Sequence, residues 1–153
     1  MKKGKLAGIC LAASLVLAGC GQDAASTTGA VMQDGSYTAE MSDFSHGWKE
    51  YVTITVKNGT IVTTEFNAEN ASGFIKKWDN AYMQNMKSVS GTYPNEYTRY
   101  YAAQLTGQSE LPEIDGLTGA STSGNNFKKL SKAVVEQAIK GDSQVVFIET
   151  EPE

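Results

Sequence analysis

With 153 residues, 13 basic and 17 acidic side chains and a net charge of −4, the chain is long enough for one small domain and is acidic overall. The acidic balance, with no basic cluster, argues against nucleic acid as a partner, because lysine and arginine must meet phosphates there. With one histidine and two cysteines, no Ser/His/Asp or Cys/His arrangement can be assembled, and the scattered carboxylates have no metal-ligand spacing.

The first 19 residues have the grammar of an export signal: Lys2, Lys3 and Lys5, then an uncharged apolar run from Leu6 to Ala18. That run is shorter than the ~20 residues of a spanning helix. It ends in Leu17-Ala18-Gly19-Cys20, which resembles the lipobox of bacterial lipoproteins. The resemblance implies cleavage before Cys20 and a diacylglyceryl (palmitate-type) anchor on its thiol. The anchor would hold the protein on the extracytoplasmic face of the cell membrane, since two acyl chains anchor stably where one does not. Cys10 then leaves with the leader and Cys20 is alkylated, so the mature chain has no disulfide or thiol chemistry. Losing the three leader lysines takes the net charge from −4 to −7.

Residues 20–33 are small, polar and aperiodic, and read as a lipidated flexible tether reaching roughly 20 Å. Residues 34–148 are expected to form the domain, with 149–153 an acidic tail. Strands are predicted over Ser36 to Met41 and over Tyr51 to Val56, where Val52, Ile54 and Val56 alternate with threonines. Asn58-Gly59 predicts a hairpin into a third strand over Thr60 to Phe66, with a bulge where the alternation slips. Helices are predicted over Phe74 to Val89, Tyr93 to Leu105 and Asn125 to Lys140, the last stopped by Gly141. Gln144 to Ile148 reads as a final short strand. The order implies an α+β fold, an antiparallel sheet with an early hairpin packed against helices.

The chemistry concentrates in Asp115-Gly116-Leu117-Thr118-Gly119-Ala120-Ser121-Thr122-Ser123-Gly124, a glycine-rich turn with several hydroxyls leading into a helix. The first turn of a helix has unpaired N–H groups and the positive end of the dipole, so it favours an anion. Read locally, Thr122 or Ser123 could equally be a plain N-cap, with the glycines making the turn.

The run Asp115 to Ser121 resembles the flavinylation motif of FMN-binding domain proteins: Asp, two variable residues, Ser or Thr, Gly, Ala, then the acceptor hydroxyl. That family includes flavin-carrying subunits of Na-translocating NADH:quinone oxidoreductase and Rnf complexes, and surface lipoproteins that relay electrons. The resemblance implies covalent FMN, moved from FAD by a separate Mg-dependent flavin transferase. Ser121 is then the acceptor, with Thr122 as the alternative. Asp115 is the motif acid, and Thr118, Gly119 and Ala120 shape the loop. No metal site of the protein's own is implied.

The implied function is a membrane-anchored electron carrier rather than a stand-alone catalyst, fed by a quinol or dehydrogenase and discharging to an extracytoplasmic acceptor. The alternatives are a non-redox surface lipoprotein and a small reductase, though the chain has no nicotinamide fingerprint. Trp48, Trp78, Tyr82, Tyr93, Tyr97 and Tyr100 could each line a flat ring site or serve as core, and Met83 and Met86 read as packing. His46, near Asp43, reads as a loop residue.

Overall fold

The alternation over residues 51–56 belongs to the longer strand β2 (Lys49–Lys57), flanked by β1 (Gly35–Met41) and β3 (Thr60–Glu69). The computed structural model describes residues 30–150; the expected leader, Cys20, most of the expected tether and the last three residues of the chain lie outside them. Val52, Ile54 and Val56 are buried while the threonines between them are partly exposed, as a two-residue side-chain period requires. Asn58 and Gly59 both adopt positive φ (51° and 69°), the conformation that closes a two-residue hairpin. The expected bulge is at Val62: Thr55 faces Thr63 while Val56 faces Ile61, and Val62 is left over and exposed.

The chain then crosses a 3-10 turn (Lys76–Trp78) before α1 (Asn80–Ser90). One helix was expected over 74–89. It is split because the Asp79 carboxylate accepts the Tyr82 N–H at 2.9 Å and caps a new helix start. Helix α2 (Pro94–Leu105) begins with its proline in the first turn, as expected. Helix α3 (Ser121–Lys140) starts four residues before the expected Asn125 and ends at Gly141, which takes the left-handed conformation (φ 69°). Strand β4 is short (Val146–Ile148).

The sheet order is β3-β2-β1-β4. Strands β1 to β3 are antiparallel, but β4 runs parallel to β1, so the α+β sheet is mixed. A parallel pair needs a long crossover, and α3 supplies it by packing on β1 and β2. Helix α2 covers β3. Between helices and sheet, Phe66, Tyr97, Tyr101 and Phe127 form an aromatic cluster with centroids 4.8–6.4 Å apart. Met32 is also buried, and the Gln33 N–H donates to the Ala138 carbonyl at 2.9 Å. Packing therefore begins two residues before Asp34, because a tether segment that finds an apolar slot and a helix-end acceptor is held there.

Candidate functional site

The hydroxyl-rich loop is held by α2. The Tyr101 hydroxyl, fully buried, accepts the Leu117 N–H at 2.9 Å and donates to the Ala120 carbonyl at 3.3 Å. One turn on, Gln104 brackets the backbone of Asp115, accepting its N–H at 2.7 Å and donating to its carbonyl at 3.3 Å. Two glycines make the path possible. Gly119 has φ 84°, and a Cβ there would run into the Ser90 carbonyl at the end of α1. Gly124, inside the first turns of α3, leaves the space that the Tyr101 ring occupies.

The early start of α3 changes what the hydroxyls do. Ala120 is the N-cap and makes no side-chain capping bond. Thr122 and Ser123 are therefore not caps; both are inside the first turn, with Ser121 as its first residue. The first-turn amides have no intrahelical acceptor. Both Ser121 and Thr122 are exposed.

Ser121 and Thr122 form the rim of a cleft of about 210 Å³. Its wall contains Trp48 and Tyr82, whose rings meet edge to face with centroids 5.9 Å apart. The Lys76 ammonium lies 4.8 Å from the Tyr82 ring centre and 5.7 Å from that of Trp48, within cation–π range. Lys76 is only 9% exposed. Deeper in, the Glu50 carboxylate accepts the Ser123 hydroxyl at 2.5 Å and the Asn126 amide at 2.7 Å. Both its oxygens are thus engaged by the start of α3, which suits an acid at the positive end of a helix. Tyr97 borders the same group. Burial, then the Glu50 charge, pushes its phenol well above the ordinary range, against the opposing effect of the Ser123 hydroxyl.

The structure brings together part of the expected set. Gly119, Ala120, Ser121 and Thr122 line the cleft with Trp48, Tyr82, Tyr97 and Met86. Thr118 lies instead on an adjoining depression with Ser121 and Lys128. Asp115 is exposed and lines neither. Trp78 is 63% exposed above a separate groove with Arg99, Tyr93 lies under the Lys87 ammonium, and Tyr100 is turned outward; none of the three lines the cleft. Met83 is also outside it. His46 (φ 48°) and Asp43 sit at the rim, on the turn before β2.

Glu50, Lys76 and Asn126 are among the cleft residues not singled out from sequence. Glu50 left a readable signal, because it is in phase with Val52, Ile54 and Val56 and so points inward. Lys76 left none, since it reaches the cleft through the folding of a distant segment, and Asn126 left none because its partner Glu50 lies 76 residues away. Among the described residues no group of three His, Cys, Asp or Glu side chains could hold a metal, and no helix is long and apolar enough to cross a membrane.

No family model matches the chain. It is 27% identical over 147 residues to the 15 kDa lipoprotein of Treponema pallidum, covering 95% of this chain and 97% of that one. A span of that extent includes the position of Cys20, and the similarity supports a lipoprotein with membrane anchoring. The fold matches the crystal structure of the CPE2226 protein from Clostridium perfringens with a TM-score of 0.74 and 33% identity, over 78% of this chain and 99% of that one. The chain therefore belongs to the same family of small α+β proteins as the Clostridium perfringens CPE2226 protein.

Proposed function

We propose that this protein is a lipid-anchored flavoprotein that carries FMN on Ser121 through a phosphoester bond and relays electrons outside the cytoplasmic membrane. One observation carries the reading: the serine at the acceptor position of the motif stands exposed on the first turn of α3, at the rim of a cleft with an aromatic wall. The residues present fit the group. The Ser121 hydroxyl is accessible, first-turn amides favour an attached phosphate, and Trp48 and Tyr82 offer flat surface to a ring. At about 210 Å³ the cleft is below the ~300–1,000 Å³ that enclose a drug-sized ligand. A flavin would stay partly open to solvent, as a carrier that must meet partners requires, and the covalent bond makes tight enclosure unnecessary.

Attachment is a phosphoryl transfer in which the Ser121 oxygen bonds to the FMN phosphorus of FAD. The pyrophosphate bond breaks, AMP leaves, and the serine proton is released. A separate Mg-dependent transferase catalyses the step and reads the loop, including the exposed Asp115. When bound, the flavin accepts and donates one or two electrons. The protein's part is to hold the loop rigid through Tyr101 and Gln104, to shield one side of the cleft with Trp48 and Tyr82, and to place charge there. Lipid on Cys20 keeps the domain within a tether's length of a membrane donor, a quinol or dehydrogenase, while an extracytoplasmic acceptor takes the electrons.

The test is co-expression with a flavin transferase, followed by denaturing electrophoresis and mass measurement. Flavin fluorescence should stay with the polypeptide, disappear in Ser121→Ala and persist in Thr122→Ala. A parent protein with no covalent flavin would refute the reading and leave a surface lipoprotein in which the loop serves only to start α3.

A further inference from the structure

Lys76 is a covered cation on the wall of the cleft. It is nine-tenths covered, yet its ammonium is directed into the cleft against Trp48 and Tyr82. The ion pairs of Lys49 with Glu40 and Glu69, and of Lys77 with Glu65, leave it out. Glu50, a carboxylate lining the same cleft, keeps its charge but is directed to the start of α3, where its two oxygens accept from Ser123 and Asn126. The other titratable groups sharing the cleft are Asp43 and His46 on the turn before β2, Tyr82 on α1 and Tyr97 on α2. Asp43 accepts the Phe44 N–H at 2.7 Å, and the backbone N–H and carbonyl at Asp43 are bonded to the Thr150 hydroxyl, so this residue is tied to the rim. A covered cation beside an aromatic wall is a standing preference for negative charge in that space.

We infer that Lys76 sets the reduction potential of the carrier by stabilising the negative charge that reduction brings into the cleft. This inference deepens the flavin reading and rests on it. Uptake of two electrons with two protons from water leaves the net charge unchanged, whereas uptake of two electrons with one proton leaves the site one unit more negative. An ammonium on the wall of the cleft would favour the one-proton course and make reduction easier. Lys76 would act on the flavin from the cleft wall as a tuning residue, and it has no part in attaching it.

The experiment is a spectroelectrochemical titration of the flavinylated full chain in detergent, with dithionite as reductant, across neutral pH. In the parent the potential should change by about 30 mV per pH unit, since one proton per two electrons makes a tenfold change in the reduction equilibrium per unit. Lys76→Met should lower the potential by at least tenfold in that equilibrium, about 30 mV for a two-electron couple, and steepen the pH dependence toward ~59 mV per unit. Lys76→Arg should keep the parent's behaviour. A flavinylated parent with the two-proton slope, or a Lys76→Met protein with unchanged potential, overturns the inference and leaves the flavin reading intact. If Lys76→Met does not fold, the slope of the parent alone decides. A parent without covalent flavin overturns both.

Discussion

Replacing Tyr101 with phenylalanine removes one oxygen and leaves the ring in place. In the parent that oxygen accepts the Leu117 N–H at 2.9 Å and donates to the Ala120 carbonyl at 3.3 Å, from a side chain that is fully buried. The aromatic contacts with Phe66 and Phe127 survive, so no cavity term of the large-to-small kind arises. What is lost is a pair of hydrogen bonds worth ~0.5–1.5 kcal/mol each, with a further cost where a partner stays buried and unsatisfied. Ala120 is 4% exposed, so its carbonyl has little access to water, while Leu117 is only partly buried and its N–H can be rehydrated. The expected destabilisation is therefore about 1–3 kcal/mol. Urea denaturation should show a lower midpoint with an unchanged slope, since the surface exposed on unfolding is the same. The loop between Leu117 and Ser121 should also lose hydrogen-exchange protection ahead of the sheet. A midpoint equal to the parent's would refute the claim that this hydroxyl clamps the loop, and with it the account of how Ser121 is positioned.

Gly119→Ala should destabilise by ~2 kcal/mol or more, because a side chain at φ 84° is strained and its Cβ meets the Ser90 backbone; thermal unfolding checks this, and a neutral result would mean the loop can leave α1 without penalty. At high pH, burial and then Glu65 push the Tyr51 phenol from 10.0 up to about 12. The folded state holds that proton more tightly than the unfolded state, so the contribution is fully present below pH 10 and is lost as pH rises toward about 12. Chemical denaturation across that window should show a shallower decline in Tyr51→Phe than in the parent, and parallel declines would show that Tyr51 is not responsible.

The elements that local chemistry dictates were readable in the chain. Alternating Val52, Ile54 and Val56 requires a strand with one buried face, Asn58-Gly59 requires a tight hairpin, and Gly141 ends α3. The same parity places Glu50 inward. The split before α1 was harder to see, because Phe74 to Val89 has helical spacing throughout and only the Asp79 side chain decides where the amides find an acceptor. The start of α3 was misread for a related reason. Ser, Thr and Gly at 121–124 are poor helix formers, and they are helical because Tyr101 on α2 and Glu50 on β2 pin the start of α3 from other elements.

By itself the sequence determined the early hairpin, the α+β class and the hydroxyl-rich segment that runs into α3, and its N-terminal pattern ending at Cys20 resembles a lipoprotein leader. Each of these rests on neighbours within a few residues, where composition and spacing are enough. The tertiary structure alone decided that β4 joins the free edge of β1 in parallel, that Trp48 and Tyr82 rather than Trp78 or Tyr100 face Ser121, and that Lys76 enters the cleft. Those outcomes depend on which surfaces bury against one another across tens of residues, and no local pattern carries that information.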